Sequence, residues 1–495
     1  MPPRFAASLL IAALTCFCQT GRYQEPYRPQ FHFSPARNWT NDPNGLAYFE
    51  GEYHLFFQFN PFGARWGHMS WGHAVSRDLV HWQELPVALP EEHGIMIFTG
   101  STVVDEHNSS GFCTGGKPCL VAIYTGHTPG AASRPALQTQ NLAYSNDRGS
   151  TWSKYAQNPV LDLHIPDFRD PKVLWSNRAK RWVMAVSLPN DHKVRFYGST
   201  DLKHWQALSD FGPAGAASGQ WECPELFELP VESKPGETHW VLKVGLNPGA
   251  LQGGSGEQYF VGQFDGTRFI NDNPPGLTLW TDYGKDCYCA LTFNNLPGGQ
   301  SPVMIGWMNN WQYAAEVPTK PWRGQMTVPR KLGLRSTPEG LRLVQNPIDA
   351  LEQLRRPWNP ESETFELRSS IQLGNAKEVS WRLIAAGGAF TLVGYDREKQ
   401  QLFIDRTHSG DTGFSMDFPV RTTAPLRLDG GRLRMRMLVD RSSIEVFAED
   451  GLVAMTNLVF PSPGTRRTNS TRKAGRPATL RPIFGRSAPS GNGVR

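Results

Sequence analysis

The chain has 495 residues, with Lys+Arg 50 against Asp+Glu 45 and a formal net charge of +5. Hydrophobic residues at 39% supply a sizeable core, and charged residues at only 19% exclude a disordered or coiled-coil chain. Gly 48 and Pro 39 break the sequence too often for a helix bundle and suit many short strands, spread over about two to four domains.

At the N-terminus Arg4 precedes an apolar run from Phe5 to Cys18, too short to span a bilayer and the length of a signal-peptide core. Residues 1–20 are read as that signal, with Leu14-Thr15-Cys16 a faint lipid-attachment pattern. No other segment is apolar enough to cross a membrane. The expectation is a secreted or periplasmic/cell-envelope protein.

Residues 25–343 read as strand after short strand, among them Tyr53–Phe59, Leu120–Tyr124, Trp182–Ser187, Trp240–Val244 and Val303–Trp307. Three segments share one turn design: Ser76-Arg-Asp-Leu-Val-His-Trp82, Ser145-Asn-Asp-Arg-Gly-Ser-Thr-Trp152 and Ser199-Thr-Asp-Leu-Lys-His-Trp205. Ser-x-Asp closes a tight turn through side-chain to backbone hydrogen bonds, and the Trp plugs the apolar layer behind it. Recurrence at 69 and 54 residues suggests blades of about four strands, as in a propeller.

Asn346–Arg356 is the best helix in the body, with acids early and Arg355 and Arg356 late, and 344–357 is read as a helical linker. Alternating segments over 358–463 then suggest an antiparallel β-sandwich. From Gly464 to Arg495 the chain holds seven Arg, one Lys and no acid, a charge of +8 that leaves −3 for the rest. This tail, 464–495, is expected to be disordered. The basic isoelectric point belongs to it, so no nucleic-acid partner follows.

Cys113 and Cys119 flank a turn-rich loop and form either a small disulfide or two free thiols. Cys287 and Cys289 alternate in an apparent strand and are read as core residues on one side of it.

Three acidic segments stand out: Asn38-Trp-Thr-Asn-Asp-Pro-Asn-Gly45, Phe168-Arg-Asp-Pro171 and Trp221-Glu-Cys-Pro-Glu225. Each sets a carboxylate near a Pro at the edge of a predicted strand, where the ring fixes the backbone and aims the acid. In a propeller the starts of the innermost strands converge, so Asp42, Asp170 and Glu222 meet in one central funnel. Facing carboxylates without metal ligands suggest glycoside hydrolysis. No His-Glu-x-x-His, P-loop or Gly-x-Ser-x-Gly occurs to support metalloprotease, nucleotide or serine-hydrolase chemistry.

Over about residues 25–460 the chain resembles glycoside hydrolase family 32, the β-fructofuranosidases, levanases and exo-inulinases. Trp39-Thr-Asn-Asp-Pro-Asn-Gly45, Arg169-Asp-Pro171 and Glu222-Cys-Pro224 follow its signatures in order, with Thr40 where Met is usual. Tyr53-His-Leu-Phe-Phe-Gln-Phe-Asn-Pro61, Trp66-Gly-His-Met-Ser-Trp-Gly-His73, Gly306-Trp-Met-Asn-Asn-Trp311, Pro318-Thr-Lys-Pro-Trp-Arg323 and Asp440-Arg-Ser-Ser-Ile-Glu-Val-Phe447 also match. The resemblance implies an all-β chain, a five-bladed β-propeller followed by a C-terminal sandwich. It implies a retaining, exo-acting hydrolase of fructans and sucrose, with no cofactor and no metal.

In that reading Asp42 is the nucleophile and stays ionised, Glu222 is the acid and base with its proton affinity raised, and Asp170 grips fructose hydroxyls. Trp39, Asn41, Gln58, Trp66, Phe98, Thr99, Arg169 and Trp307 are the substrate-binding candidates. Thr99 replaces the usual Ser and keeps the hydroxyl. Arg169 also reads as a mere carboxylate partner, Trp66 as packing, Trp307 as blade filling and Cys223 as a small buried thiol. A fructosyltransferase shares all three carboxylates, and a non-catalytic fructan-binding protein is the alternative of another class. A sialidase-like propeller would need three Arg and a Tyr nucleophile that cannot be assigned.

Overall fold

The computed structural model describes residues 23–357, 362–464 and 466–473. The signal reading (1–20) and the chain beyond 473 lie outside them. Within them, aromatic and β-branched segments punctuated by turn residues condense into seven sheets. Among the described residues no helix is long and apolar enough to cross a membrane.

The first five sheets succeed one another along the chain. Their innermost strands are Asn38–Phe49, Met96–Asp105, Arg169–Ser176, Gln220–Pro230 and Tyr288–Thr292, each followed by antiparallel partners that meander outward. Each innermost strand packs on the next and the fifth packs on the first, so the sheets stand as five blades around one axis. The ring is closed by strands far apart in sequence. Trp322–Arg323 runs parallel to Asn38 and Trp39 in the first sheet. Asn294 donates its N–H to the Leu46 carbonyl at 2.9 Å and accepts one from Tyr48 at 2.9 Å.

The Ser-x-Asp repeat has one structural address. In the first three blades it joins the third strand to the fourth: Ser70–Ser76 to Trp82–Leu89, Leu137–Ser145 to Ser153–Lys154, and Lys193–Ser199 to Gln206–Phe211. Asp78 Oδ1 accepts from the N–H groups of Val80 (2.9 Å) and His81 (2.8 Å), and Asp201 Oδ1 from those of Lys203 and His204, both 2.9 Å. Asp147 accepts from Thr151 at 2.9 Å in the same way. The fourth blade reaches this turn without Ser or Trp: Asp265 accepts from Thr267 and Arg268, and Phe269 is buried in place of the Trp.

The last two sheets form the sandwich. One orders Phe365–Gln372, Arg432–Val439, Ser443–Ala448 and Val453–Leu458; the other orders Arg421–Pro425, Gln401–Asp405, Phe390–Asp396, Glu378–Ile384 and Arg467–Lys473. A buried ionic lattice welds them to the propeller. Arg330 donates to Asp282 (2.9 Å) and Gln345 (3.0 Å) on one side, and to Glu445 (2.8 Å) and Thr456 (2.5 Å) of the sandwich on the other. His32, ahead of the first blade, sits between Asp440 (2.8 Å) and Glu445 (2.9 Å). Burial works against its charge, but the two carboxylates outweigh that and push it up to about 9. Asp286 binds Arg406 and Tyr313 and accepts the Leu458 N–H at 2.8 Å.

Two expectations fail here. The predicted helix at 346–356 is not one: Asn346 and Pro347 belong to the strand Gly340–Pro347, and only Asp349–Leu354 coils, as a 3₁₀ turn burying Leu351 and Leu354. Arg355 leaves in extended conformation and pairs with Glu352 and Glu366, both at 2.7 Å, instead of capping a helix. An 11-residue helix is marginal alone, and strand pairing with Arg330 and Lys331 prevails. The tail is not wholly unpacked either. Arg467–Lys473 pairs along Glu378–Ile384, and buried Arg466 donates to the carbonyls of Asp440 (2.6 Å) and Arg441 (2.5 Å). Its Arg-Thr-Asn-Ser composition reads as disordered because an edge strand of this kind takes its stability from backbone pairing.

Truncation after Pro463 therefore bares the edge of Glu378–Ile384 and the carbonyls that Arg466 caps. The truncated protein is expected to melt several degrees below the full chain in differential scanning calorimetry; an unchanged melting temperature would refute the strand's contribution.

Candidate active site

Each blade brings one short segment to the axis: Asn41-Asp42-Pro43, Phe98-Thr99-Gly100, Arg169-Asp170-Pro171, Glu222-Cys223-Pro224 and Tyr288-Cys289-Ala290. In every one, two residues face a single residue of the neighbouring strand: Gln58, Thr125, Val186, Val244 and Gly306 respectively. These are β-bulges, which break the ladder and re-aim side chains. Asp170, Cys223 and Cys289 carry the left-handed backbone that such a kink imposes, with φ of 67°, 47° and 45°. Pro and Gly follow the kink in four blades, where a ladder donor is absent or a side chain would collide: a Cβ on Gly100 would lie 2.1 Å from the Ile123 carbonyl oxygen.

The bulges build two tiers. In the upper one, Arg169 donates to Glu222 Oε1 through Nε (3.1 Å) and Nη2 (2.9 Å), and the Tyr288 hydroxyl donates to Glu222 Oε2. Arg169 is itself held by Asp167 (2.7 Å), Gln220 (2.6 Å) and Gln138 (3.3 Å). In the lower tier Thr99 donates to Asp42 Oδ2 at 2.7 Å, and the Cys223 N–H donates to Asp170 Oδ2 at 2.9 Å. No donor among the described residues reaches Asp42 Oδ1. One layer further along lies the buried pair Lys172–Glu225 (2.7 Å), with the Thr292 hydroxyl on Glu225 at 2.6 Å.

The three carboxylates act on one another. Burial pushes Asp42 up to about 6; Thr99 and Asn41 pull it back and the Glu222 charge pushes it further. Burial also pushes Asp170 up to about 7, with Arg169 opposing and the Glu222 and Asp42 charges adding to the rise. Asp42 is therefore not the ordinary carboxylate the sequence suggests: an acid only 8% exposed beside two others resists ionisation. Burial and the adjacent Glu222 hold the Tyr288 phenol well above its usual range, so it remains a donor.

The remaining candidates divide. Asn41 accepts the Trp39 indole N–H at 2.8 Å. Gln58 and Thr99 are linked by Asn44, whose carboxamide, oriented by its neighbours, accepts from Gln58 Nε2 (3.0 Å) and donates to the Thr99 hydroxyl (3.3 Å). Trp66 stands at the rim, 45% exposed, edge-on to Phe98 at 6.0 Å. Trp39 and Trp307 are corrections: at 1% and 0% exposure neither offers a face for a ligand, and they pack against each other as blade filling. Trp311, stacked on Trp39 at 5.9 Å and half-buried, keeps the open face instead.

Tyr288 escaped the sequence reading, though the start of the fifth innermost strand was the place to look. So did Gly245. It lies opposite Glu222, and a Cβ there would come within 2.8–3.0 Å of the Tyr288 ring and hydroxyl, so the missing side chain gives that ring its path. Of the two forms open to Cys113 and Cys119, the structure has the disulfide. Cys223 and Cys289 differ from expectation: they are bonded to each other rather than being a buried thiol and a plain core residue. The fifth bulge breaks the alternation, so among the described residues Cys287 alone is a buried thiol, and it packs between the fourth and fifth blades. Asp42, Cys223 and Cys289 lie close enough to suggest a metal triad, but sulfurs bonded to each other offer no thiolate.

Asp170 provides a check on these electrostatics. Its proton affinity rises on folding, so the stability it contributes is complete below pH 3.8 and lost as pH climbs through about 7. Asp170→Asn, which cannot ionise, is expected to melt roughly 2–5 °C above wild type at pH 8, with the gap closing near pH 4; equal melting points at pH 8 would contradict the buried charge.

The chain matches the glycosyl hydrolases family 32 N-terminal domain over residues 32–347 and the family's C-terminal domain over 334–478. It is 45% identical over 486 residues to the levanase of Bacillus subtilis (strain 168), covering 93% of this chain and 70% of that protein. It is 43% identical over 506 residues to the extracellular exo-inulinase of Aspergillus awamori, covering 92% and 94%. The crystal structure of exo-inulinase from A. awamori superposes with a TM-score of 0.89 at 41% identity, over 95% of this chain and 100% of that one. The β-fructofuranosidase of Schwanniomyces occidentalis complexed with fructosyl-erythritol gives 0.83 at 32%, over 95% and 98%. Both domain models in order, with identity at this level along nearly the whole chain, show that the protein belongs to glycosyl hydrolase family 32.

Proposed function

We propose that this protein is an exo-acting β-fructosidase that releases terminal β-D-fructosyl units from fructans (levan, inulin) and sucrose with retention of configuration. The carrying observation is the convergence of Asp42, Asp170 and Glu222, each in or beside its own bulge, in one small buried volume. The levanase and exo-inulinase names of the relatives give the substrate class.

Asp42 attacks the anomeric C2 of the fructosyl unit through a carboxylate oxygen. As the C2–O bond to the rest of the chain breaks, Glu222 gives its proton to the leaving oxygen, and a fructosyl ester of Asp42 remains. Glu222 then takes a proton from water, the water oxygen bonds to C2, and the ester bond breaks to free Asp42. Asp170, beside Arg169, binds sugar hydroxyls and opposes the positive charge that develops on the ring. Tyr288 and Arg169 fix the Glu222 carboxylate between them.

Exo action is supported by the likeness to exo-inulinases along nearly the whole chain. Export, as for the extracellular relatives, agrees with the Phe5–Cys18 run and with the two disulfides.

Product analysis on sucrose, inulin and levan is expected to give free fructose from all three. Short oligomers would refute exo action, and longer chains would reassign the protein as a transferase. Asp42→Asn and Glu222→Gln should each lower kcat by roughly 10³-fold or more with the fold intact. Wild-type activity should fall as pH drops through about 6, where Asp42 takes up its proton. Gly245→Ala, whose backbone is ordinary, should push Tyr288 off Glu222 and lower kcat about tenfold while KM stays within about twofold; unchanged kcat would remove the Tyr288 contact from the mechanism.

A further inference from the structure

Cys223 directly follows Glu222, and Cys289 directly follows Tyr288. The hydrogen bond from Tyr288 to Glu222 and the Cys223–Cys289 bond are thus two parallel rungs between the same two strands, one residue apart. Those strands, Gln220–Pro230 and Tyr288–Thr292, are the inner edges of the fourth and fifth blades and belong to different sheets. No backbone ladder joins them among the described residues. Elsewhere in the ring the seam between the fifth and first blades is pinned by the Asn294 backbone bonds. The fourth and fifth blades also meet through the Val231–Leu334 bridge and the Thr292 hydroxyl on Glu225, and beside Glu222 the disulfide is the covalent tie.

Its setting reaches all three acids. The Cys223 N–H holds Asp170 Oδ2, and the Cys223 sulfur lies 3.8 Å from Asp42 Oδ2 as a plain contact, since a disulfide sulfur has no hydrogen to donate. Both cysteines sit on the kinked residue of their bulge. A bulge interrupts the ladder that would otherwise fix its position, so a link between two bulges fixes what the sheets leave loose. Both side chains are buried. The other disulfide, Cys113–Cys119, closes a loop on the outer turns of the second blade and touches none of this.

We propose that the Cys223–Cys289 disulfide is a positioning clamp: it holds the inner edges of the fourth and fifth blades together so that Tyr288 donates to Glu222. This rests on the function proposed above. The clamp takes no part in the bond-making steps; it sets the distance over which Glu222 is held.

The test is a double-mutant cycle read by steady-state kinetics on inulin. C223A/C289A is expected to lose about tenfold or more in kcat, with KM within about twofold. Y288F should lower kcat in the wild-type background and add little in the cysteine-free one, since both changes break the same contact. C113A/C119A should leave all of these values at wild type. Should C223A/C289A fail to fold, C289A breaks the same bond at the cost of a single sulfur. Wild-type kcat in the clamp variant would overturn the proposal, as would a Y288F effect that adds in full in both backgrounds. If instead the wild-type protein released no fructose, the functional reading would fall and the clamp's role with it, a result distinct from a clamp variant that matches an active wild type.

Discussion

Everything at the axis depends on a backbone fault repeated five times. A regular antiparallel strand alternates its side chains between the two faces of its sheet. A blade built only of regular strands would present ladder edges to the centre of the ring. The two-against-one bulge breaks that rule at one point per blade and turns a pair of neighbouring side chains toward the axis. Side chains from positions as distant as Asp42, Glu222 and Tyr288 thereby reach the same few ångströms. The kinks are held by proline, by glycine where backbone closes in, and by left-handed residues that few side chains favour.

That arrangement is expensive in electrostatic terms. Three acids share one buried volume, and two of them are driven toward protonation by burial and by one another. Arg169 and Tyr288 offset part of this on the Glu222 side, and Thr99 and Asn41 on the Asp42 side. Stability must come from elsewhere. The tryptophans at positions 39, 71, 221, 307 and 322 are all buried in the blades, and the Arg330, His32 and Arg406 lattice joins propeller to sandwich with its charges paired. Charges at the junction are matched across an interface, whereas charges at the funnel are deliberately unequal. One is built for rigidity and the other for reactivity.

The blades were legible because their signals are local. Turns of Ser-x-Asp type and runs of aromatic residues report their own structure, and the Pro-flanked acids mark the bulges. What was not legible depends on partners remote in sequence. Tyr288 looks like any strand aromatic until Glu222 is seen opposite it. Trp307 and Trp311 lie in the same short motif, and only packing against Trp39 decides which is exposed. Cys223 and Cys289 are 66 residues apart, and spacing alone gave no reason to pair them. The 346–356 segment has good helical composition, yet cross-strand pairing outside the segment determines its form. The strand Arg467–Lys473 carries no apolar pattern at all, because a sheet edge asks only for backbone.

The closure of the ring has a temporal side. The inner edge of the first blade is covered by Trp322–Arg323, and His32 finds its partners only at Asp440 and Glu445. A ribosome must therefore deliver more than three hundred residues before the first blade has its final neighbour, and over four hundred before the segment ahead of it can dock. Until then the nascent polypeptide lacks the contacts that would lock the ring and its leading segment in place.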